Sequence, residues 1–140
     1  MLKFGEFMLL EASKADKIWY HGSDNKFDEF DQNKLGEASR KMGFWFTDDK
    51  SFAEMFGTHL IEVKLTCKNP KIMSMDKWDS LRLKHKKQTE PFIELRNKLV
   101  KEGFDALLVS KRTNTLFGGH TFVDPNVICV FNVKDITFIK

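Results

Sequence analysis

The stretch GFWFTDDKSFAEMFG, residues 43–57, joins the signals of a strand, a tight turn and a helix. Residues 43–47 are mostly aromatic, which predicts a buried strand. Asp48 or Asp49 can cap the next helix, and Gly57 can end it. The stretch therefore predicts a strand continued at once by a helix.

Two aromatic residues of this stretch are placed to form a slot. Trp45 and Phe56 are eleven residues apart, and a strand, a tight turn and the first turns of a helix can bring their rings face to face. Phe52 and Met55 mark the same helix face as Phe56. Such a slot suits a flat heteroaromatic ring, because each stacked pair contributes about 0.5–1.5 kcal/mol beyond burial.

A second stretch, IWYHGSDNKF, residues 18–27, ends an apolar run in His21, Gly22 and Ser23. A strand is predicted over residues 17–20, and two interpretations of the three residues after it are open. Gly22 and Ser23 are ordinary turn residues, and His21 can be an exposed side chain of that turn. Alternatively, Gly22 lets a ligand approach, so that its backbone N–H and C=O bind a carboxamide, while His21 donates to a ribose hydroxyl. The ligand that fits the second interpretation is the nicotinamide riboside half of NAD.

The rest of the chain alternates short apolar runs with helical periodicity. One helical segment is predicted over residues 76–102, with Pro91 beginning its clearest part and Gly103 ending it. The side chains predicted to point inward there are Phe92, Leu95, Leu99 and Val100. Strands are predicted at residues 59–67, 104–110 and 127–133, with Leu60, Val63 and Leu65 inward in the first of them, Asn69-Pro70 ending it, and a polar loop at residues 114–126. Many short strands with two or three helices predict an α+β domain.

The composition limits the classes of function. With 140 residues, 41% of them hydrophobic and 14 of them Phe, the chain can build one domain with a real core. A net charge of +3 does not by itself imply nucleic-acid binding, and it suits an anionic ligand. Cys67 and Cys129 lie in apolar, strand-like runs, so they are predicted to be reduced core residues with no metal site. No membrane span is predicted, because no apolar run approaches about 20 residues. No secretory signal is predicted, because the N-terminus lacks a continuous apolar h-region.

Six short motifs stand in order between residues 18 and 140. They read His21-Gly22-Ser23, Gly43-Phe44-Trp45-Phe46-Thr47, Ala53-Glu54-Met55-Phe56, Asn69-Pro70, Gly103-Phe104-Asp105-Ala106, and Cys129-Val130-Phe131 with Ile136. Together they resemble the ADP-ribosyltransferase fold of the diphtheria-toxin and poly(ADP-ribose)-polymerase type, above all the small domains of that fold in phages and in multidomain polyvalent proteins. The resemblance implies split antiparallel sheets with two or three helices, NAD as co-substrate, and no metal.

The same resemblance implies roles for individual residues. His21 would bind the NAD ribose, Gly22 would bind the nicotinamide amide through its backbone, and Trp45 and Phe56 would sandwich the nicotinamide ring. Ser23 would assist near the adenosine side. Arg40 and Lys41 could meet the pyrophosphate, or they could equally be solvated loop cations. Phe46 and Thr47 complete the predicted NAD site.

The family usually carries a glutamate at the start of its last conserved strand, and this chain does not. That carboxylate stabilises the positive charge that develops on the ribose when the glycosidic bond breaks. The position falls at about Val127. Asp124 could replace the glutamate if the strand is offset, and Asn126 could bind the 2′-hydroxyl without the charge. The departure argues against polymer formation, and it does not rule out transfer.

The N-terminal segment MLKFGEFMLLEASKADK, residues 1–17, differs in character from the rest. It reads either as a first amphipathic helix packed on the domain or as a separate peptide. Residues 1–11 resemble the capsid-targeting peptides of internal proteins in large tailed phages, which end in Leu-x-Glu before a small residue. Cleavage after Glu11 would then leave a domain over residues 12–140.

Two functions from different classes are consistent with these observations. The first is an NAD-dependent mono-ADP-ribosyltransferase, a glycosyltransferase that modifies a host protein or nucleic acid. The second is a non-catalytic module that binds NAD, ADP-ribose or a host factor, and a packaged structural protein with a relic fold would bind no NAD at all. The protein is predicted to be a monomer, carried in the phage virion and then released into the host cytoplasm, or otherwise cytoplasmic.

Overall fold

Seven strands of the computed structural model form one sheet. The structure describes residues 17–25, 29–110, 113–115, 121–123 and 125–139. The strands are β1 (Trp19–Ser23), β2 (Phe44–Thr47), β3 (His59–Leu65), β4 (Pro70–Ser74), β5 (Ala106–Ser110), β6 (Thr113–Thr115), β7 (Thr121–Val123), β8 (Val127–Val130) and β9 (Ile136–Phe138). The α-helices are α1 (Lys50–Glu54), α2 (Met75–Lys84) and α3 (Glu90–Lys101), and short 3-10 helices cover Gln32–Lys34, Ala38–Met42 and Val133–Asp135.

The pairing confirms the predicted α+β class. The order of the strands in the seven-stranded sheet is β4-β5-β8-β2-β1-β3-β9. Within it, β4 and β5 are parallel and every other neighbouring pair is antiparallel. β6 and β7 form a separate antiparallel ribbon between β5 and β8 in the chain. A mostly antiparallel sheet with three α-helices among the described residues fits the fold that the motifs imply.

The predicted split of the sheet appears as a change in pairing across β2. On one side, β2 and β8 are paired along their whole length, from Phe44↔Val130 to Thr47↔Val127. On the other side, β2 and β1 share the single pair Tyr20↔Thr47. The strands β1, β3 and β9 therefore meet the other four strands at one residue pair.

Each face of the sheet has its own apolar core. The loop-side core contains Phe44 and Phe46 of β2, and Phe30 covers it from the segment before the first 3-10 helix. The helix-side core contains Trp78 of α2 and both Phe92 and Leu99 of α3. Because side chains alternate along a strand, Trp45 faces the helix-side core while its two neighbours face the other.

Local signals in the sequence explain where the helices begin and end. The Asp49 carboxylate accepts a hydrogen bond from the Phe52 N–H at 3.0 Å and caps α1. Ser74 caps α2 in the same way through the Lys77 N–H, at 3.2 Å. Gly103 ends the region of α3 with φ +96°, a conformation that favours glycine.

Several predicted element boundaries are wrong. β1 runs from residue 19 to residue 23, so His21, Gly22 and Ser23 lie inside the strand and not in a turn after it. Pro70 begins β4 rather than only ending β3, because a strand's first residue can do without an N–H donor. The predicted helix over residues 76–102 is two helices, separated at residues 85–89, where Lys87 has φ +64°.

Some predicted inward side chains are also wrong. In β3 it is Ile61, Val63 and Leu65 that are buried, and Leu60 lies on the opposite face. Val100 is half exposed, and Met55, the residue that follows α1, is 77% exposed. The polar loop predicted at residues 114–126 contains β7 and most of β6.

Candidate functional site

A cleft of about 930 Å³ opens where β1 and β2 separate. It is lined by all eight residues that were predicted to bind NAD: His21, Gly22, Ser23, Arg40, Trp45, Phe46, Thr47 and Phe56. Lys41 is not among the lining residues, and Asn126 is not either. Asp124 and the predicted peptide at residues 1–11 lie outside the described residues.

His21 occupies the point where strand pairing stops. Its Nδ1 lies 2.8 Å from the backbone oxygen of Trp45. Because a carbonyl can only accept, Nδ1 carries the hydrogen and donates it. The His21 ring is held edge-on to Phe30, with centroids 5.3 Å apart, and tilted against Phe46 at 5.7 Å. A side chain thus connects the two strands where the backbone ladder does not.

The environment of His21 fixes its charge as well as its orientation. Burial lowers the pKa of His21 below its ordinary value of 6.5, and the hydrogen bond to Trp45 opposes this more weakly. The ring is therefore neutral near pH 7, and Nε2 is an acceptor. In this tautomer Nε2 has no hydrogen to donate, whereas the sequence-based interpretation took His21 as a donor.

Gly22 is required by the packing of α1 against β1. A Cβ at position 22 would lie 1.9 Å from the Ala53 oxygen and 3.3 Å from the Phe56 Cβ. Gly57 has the same function at the end of this segment, where a Cβ would lie 2.1 Å from the Ser23 carbonyl carbon. The two glycines bring Phe56, which is 60% exposed, beside Gly22.

A hydrogen bond and a ring contact fix the position of the Trp45 side chain in the cleft. Its indole N–H donates to the Ser39 oxygen at 3.0 Å, and its ring packs against Trp78 with centroids 5.2 Å apart. Phe56 is supported by Phe52, also at 5.2 Å. Within the described part of the chain, Trp45 and Phe56 make no ring contact with each other, although both line the same cleft.

The start of β8, where the family's glutamate is expected, presents an apolar wall. Val127 is partly buried and lines the cleft, paired with Thr47 and Val109. The Asn126 amide instead donates to the Asp48 carboxylate at 2.8 Å, and Lys17 forms an ion pair with that carboxylate at 3.0 Å. Asn126 thus fastens β8 to the end of β2.

Three cations line the cleft: Lys34, Arg40 and Arg82. Arg40 folds over Gly36, where a Cβ would lie 3.1 Å from the Arg40 Cβ. Arg82 also pairs with Asp79 at 2.9 Å and is exposed.

The wall that α2 contributes to the cleft was not predicted from the sequence. Trp78 and Arg82 both line the cleft and are four residues apart. Residues at this spacing share one helix face. The spacing was readable in the predicted helix, but nothing in the sequence places that face toward β2.

One group of possible metal ligands lies elsewhere. Cys67, Asp105 and Asp135 offer ligand atoms within 4.8 Å of one another. The Asp105 carboxylate accepts hydrogen bonds from the Lys68 and Asn69 N–H groups, at 2.6 and 3.1 Å, so it orders the loop before β4. Both cysteines are buried, as predicted, and neither forms a disulfide within the described residues. Burial raises the pKa of the Cys129 thiol well above its usual range.

None of the helices in the described residues is long and apolar enough to cross a bilayer.

Comparison with known proteins agrees with the family that the motifs resemble. The family described as ADP-ribosyltransferase in polyvalent proteins matches residues 15–137. No curated protein matches the chain. The family match covers most of the 140 residues and includes every described element from β1 to β8. The chain therefore belongs to the ADP-ribosyltransferases of polyvalent proteins.

Proposed function

We propose that the protein transfers a single ADP-ribosyl group from NAD to a macromolecule and releases nicotinamide. The observation that carries this proposal is the cleft at the separation of β1 and β2. His21, Gly22, Trp45 and Phe56 line it together, although they come from three different elements or their ends. A shared cleft of these residue types suits a nicotinamide riboside.

The nicotinamide ring would lie between Trp45 and Phe56, beside Gly22. Each stacked pair contributes about 0.5–1.5 kcal/mol beyond the buried area. The only ladder pair between β1 and β2 in the described residues is Tyr20↔Thr47. The edge of β1 beyond Tyr20 is thus a place where the Gly22 backbone can bind the carboxamide.

The ribose and pyrophosphate of NAD would extend from the nicotinamide along the cleft. His21 Nε2 can accept the hydrogen of a ribose hydroxyl, because Nδ1 is already committed to Trp45. Arg40, with Lys34 and Arg82, supplies positive charge toward the two phosphates. Ser23 lines the same cleft and would assist near the adenosine side.

In the reaction, the bond between C1′ of the ribose and the nicotinamide nitrogen breaks. Its electron pair stays on that nitrogen, so nicotinamide leaves as a neutral molecule. A lone pair of the acceptor forms the new bond to C1′, and the acceptor's proton goes to solvent. Water in place of the acceptor gives ADP-ribose by the same steps.

The acceptor and the setting are part of the proposal. The acceptor would be a host protein or a nucleic acid, modified by a monomeric enzyme. The resemblance of residues 1–11 to capsid-targeting peptides supports packaging in a phage virion and action in the host cytoplasm. A purified sample of virions, probed for this protein with and without the first 11 residues, tests that part separately.

The test of the activity uses NAD labelled in its adenylate half and a bacterial lysate. We expect the wild type to transfer label, with both His21→Ala and Trp45→Ala inactive. His59→Ala is the matched control, because His59 is exposed at the start of β3 and does not line the cleft. The intact mass of a labelled protein should rise by one ADP-ribosyl group. The proposal is overturned if the wild type shows no transfer and no NAD hydrolysis under any condition.

A second candidate is a module that binds NAD or ADP-ribose without turnover. Val127 favours it, because an apolar side chain lines the cleft where the family's carboxylate is expected. This candidate predicts saturable NAD binding by calorimetry with no release of nicotinamide. A packaged protein with a relic fold predicts no binding at all.

A further inference from the structure

The proposed reaction develops positive charge on the ribose, and the described wall of β8 has no free carboxylate to stabilise it. Asp48 is nearest to that wall, but its oxygens are bound by Lys17 and by both the backbone N–H and the side-chain amide of Asn126. These contacts fasten β2, β8 and the segment before β1 together. Neither Asp48 nor Asn126 lines the cleft.

Two other carboxylates do line the cleft within the described residues, and they flank Phe30. They are Glu29 and Asp31. The Asp31 carboxylate accepts the Asn33 N–H at 2.9 Å and caps the 3-10 helix Gln32–Lys34. Glu29 is exposed, and its carboxylate has no hydrogen bond or ion pair among the described residues. Glu29 is thus the lining carboxylate that is not committed to holding the fold.

Phe30, the residue after Glu29 in the chain, packs against His21. The Phe30 ring is 8% exposed and contacts the rings of Phe44, Phe46 and Phe138 at 5.2–5.4 Å. The same ring contacts His21 at 5.3 Å. Consecutive Cα atoms are about 3.8 Å apart, so the anchored Phe30 fixes where the Glu29 side chain begins. His21 and the backbone that carries Glu29 are therefore both positioned by one buried ring, and both residues line the cleft.

We propose that Glu29 is the catalytic carboxylate of this protein, in place of the glutamate that its family carries on β8. The inference rests on the proposed function. As the bond from C1′ to nicotinamide breaks and its electron pair leaves with the nicotinamide nitrogen, the Glu29 carboxylate stabilises the positive ribose. It can also take the proton that the acceptor loses as the new bond to C1′ forms.

The test compares kcat and KM for nicotinamide release. Glu29→Gln keeps the size and removes the charge, so we expect kcat to fall about 10²-fold with little change in the KM for NAD. Glu29→Asp keeps the charge on a shorter side chain and should retain clearly more activity than Glu29→Gln. Glu94→Gln is the matched control, because Glu94 is exposed on α3 and does not line the cleft.

Each result decides one proposal or both. A loss in kcat that Glu29→Asp partly restores supports the role of Glu29. Wild-type kcat in Glu29→Gln, a rise in KM alone, or equal losses in both variants overturns it and leaves the proposed function standing. Absence of turnover in the wild type overturns both, and calorimetry with NAD then identifies the binding module.

Discussion

The two edges of β2 differ in how far they are paired with their neighbouring strands. The edge toward β8 is fully paired and is reinforced at its end, where the Thr47 hydroxyl donates to the Asn126 oxygen at 2.9 Å. The edge toward β1 has one ladder pair, Tyr20↔Thr47, and the hydrogen bond from the His21 side chain to the Trp45 backbone oxygen. The same four residues are thus scaffold on one edge and candidate site on the other, and the site exists because the pairing stops.

Because the two edges of β2 differ, we expect substitutions on its two sides to have different effects. Changes on the β8 side should lower the free energy of unfolding and leave NAD chemistry intact in the folded protein. Changes on the β1 side should act on NAD chemistry more than on unfolding. Substitutions at four places test this division, from the largest expected effect to the smallest.

The largest effect is expected on the fully paired side. Leu107 in β5 is completely buried, so Leu107→Ala should lower the free energy of unfolding by about 2–5 kcal/mol. Urea unfolding measures this, with Leu83→Ala as the control at an 81% exposed position. A tenfold loss of kcat in folded Leu107→Ala protein would contradict the division.

Gly22→Ala should disturb both quantities. Its Cβ would meet the Ala53 oxygen, so α1 must move, at a cost of about 1–3 kcal/mol in stability and with loss of NAD binding. Gly103→Ala is the comparison: φ is +96° and no atom lies within 4 Å of the added Cβ, so about 1 kcal/mol is lost and binding is kept. Calorimetry with NAD and thermal unfolding separate the two variants. Equal NAD affinities would show that the contact between α1 and β1 does not shape the cleft.

Phe56→Ala should act on ligand binding alone. Phe56 is 60% exposed, so its removal should change the free energy of unfolding by less than about 0.5 kcal/mol. Loss of one stacked face should weaken NAD binding roughly 2- to 10-fold. Met55→Ala is the adjacent control, since Met55 is 77% exposed and does not line the cleft. If both variants bind NAD like the wild type, the ring does not lie against Phe56.

The smallest expected effect is the contribution of His21 to the pH dependence of the free energy of unfolding. Its pKa is lowered in the folded protein by burial, whereas the unfolded chain takes up a proton near pH 6.5. Below that pH the unfolded state binds more protons, so the free energy of unfolding falls until the pH reaches the folded-state pKa. His21→Gln should remove this component, as measured by urea unfolding between pH 5 and pH 8. Parallel curves for the wild type and the variant would be the contrary result.

Short, strongly patterned segments of the fold could be predicted, and their pairing could not. The aromatic run at residues 43–47, the Asp49 cap and the buried run before Ser110 were all correct because each depends on local chemistry. The strand character of His21, Gly22 and Ser23 was missed, because glycine and serine favour turns by themselves and only pairing with β3 makes them extended. β4 was missed because Asn69-Pro70 reads locally as a breaker.

The candidate site was predictable in its residue types and not in its supports. The eight residues expected to bind NAD all line the cleft. The reason for Gly22 was incomplete, because the close approach of Ala53 depends on how α1 packs. The direction of the His21 hydrogen bond and the wall formed by α2 depend on tertiary contacts that no local pattern encodes.

The contact between Trp45 and Trp78 has an optical consequence. The chain has three tryptophans, and Trp19 is the one fully enclosed in the loop-side core, with the Lys17 ammonium 4.7 Å above its ring. The other two form an adjacent pair in the lining of the cleft. An electron-poor pyridinium ring stacked on Trp45 should quench the emission of that pair and leave the Trp19 emission unchanged. With nicotinamide bound as proposed, the pair would report occupancy of the cleft by its fluorescence, and a Trp78→Phe variant would show how much of the signal the pair shares.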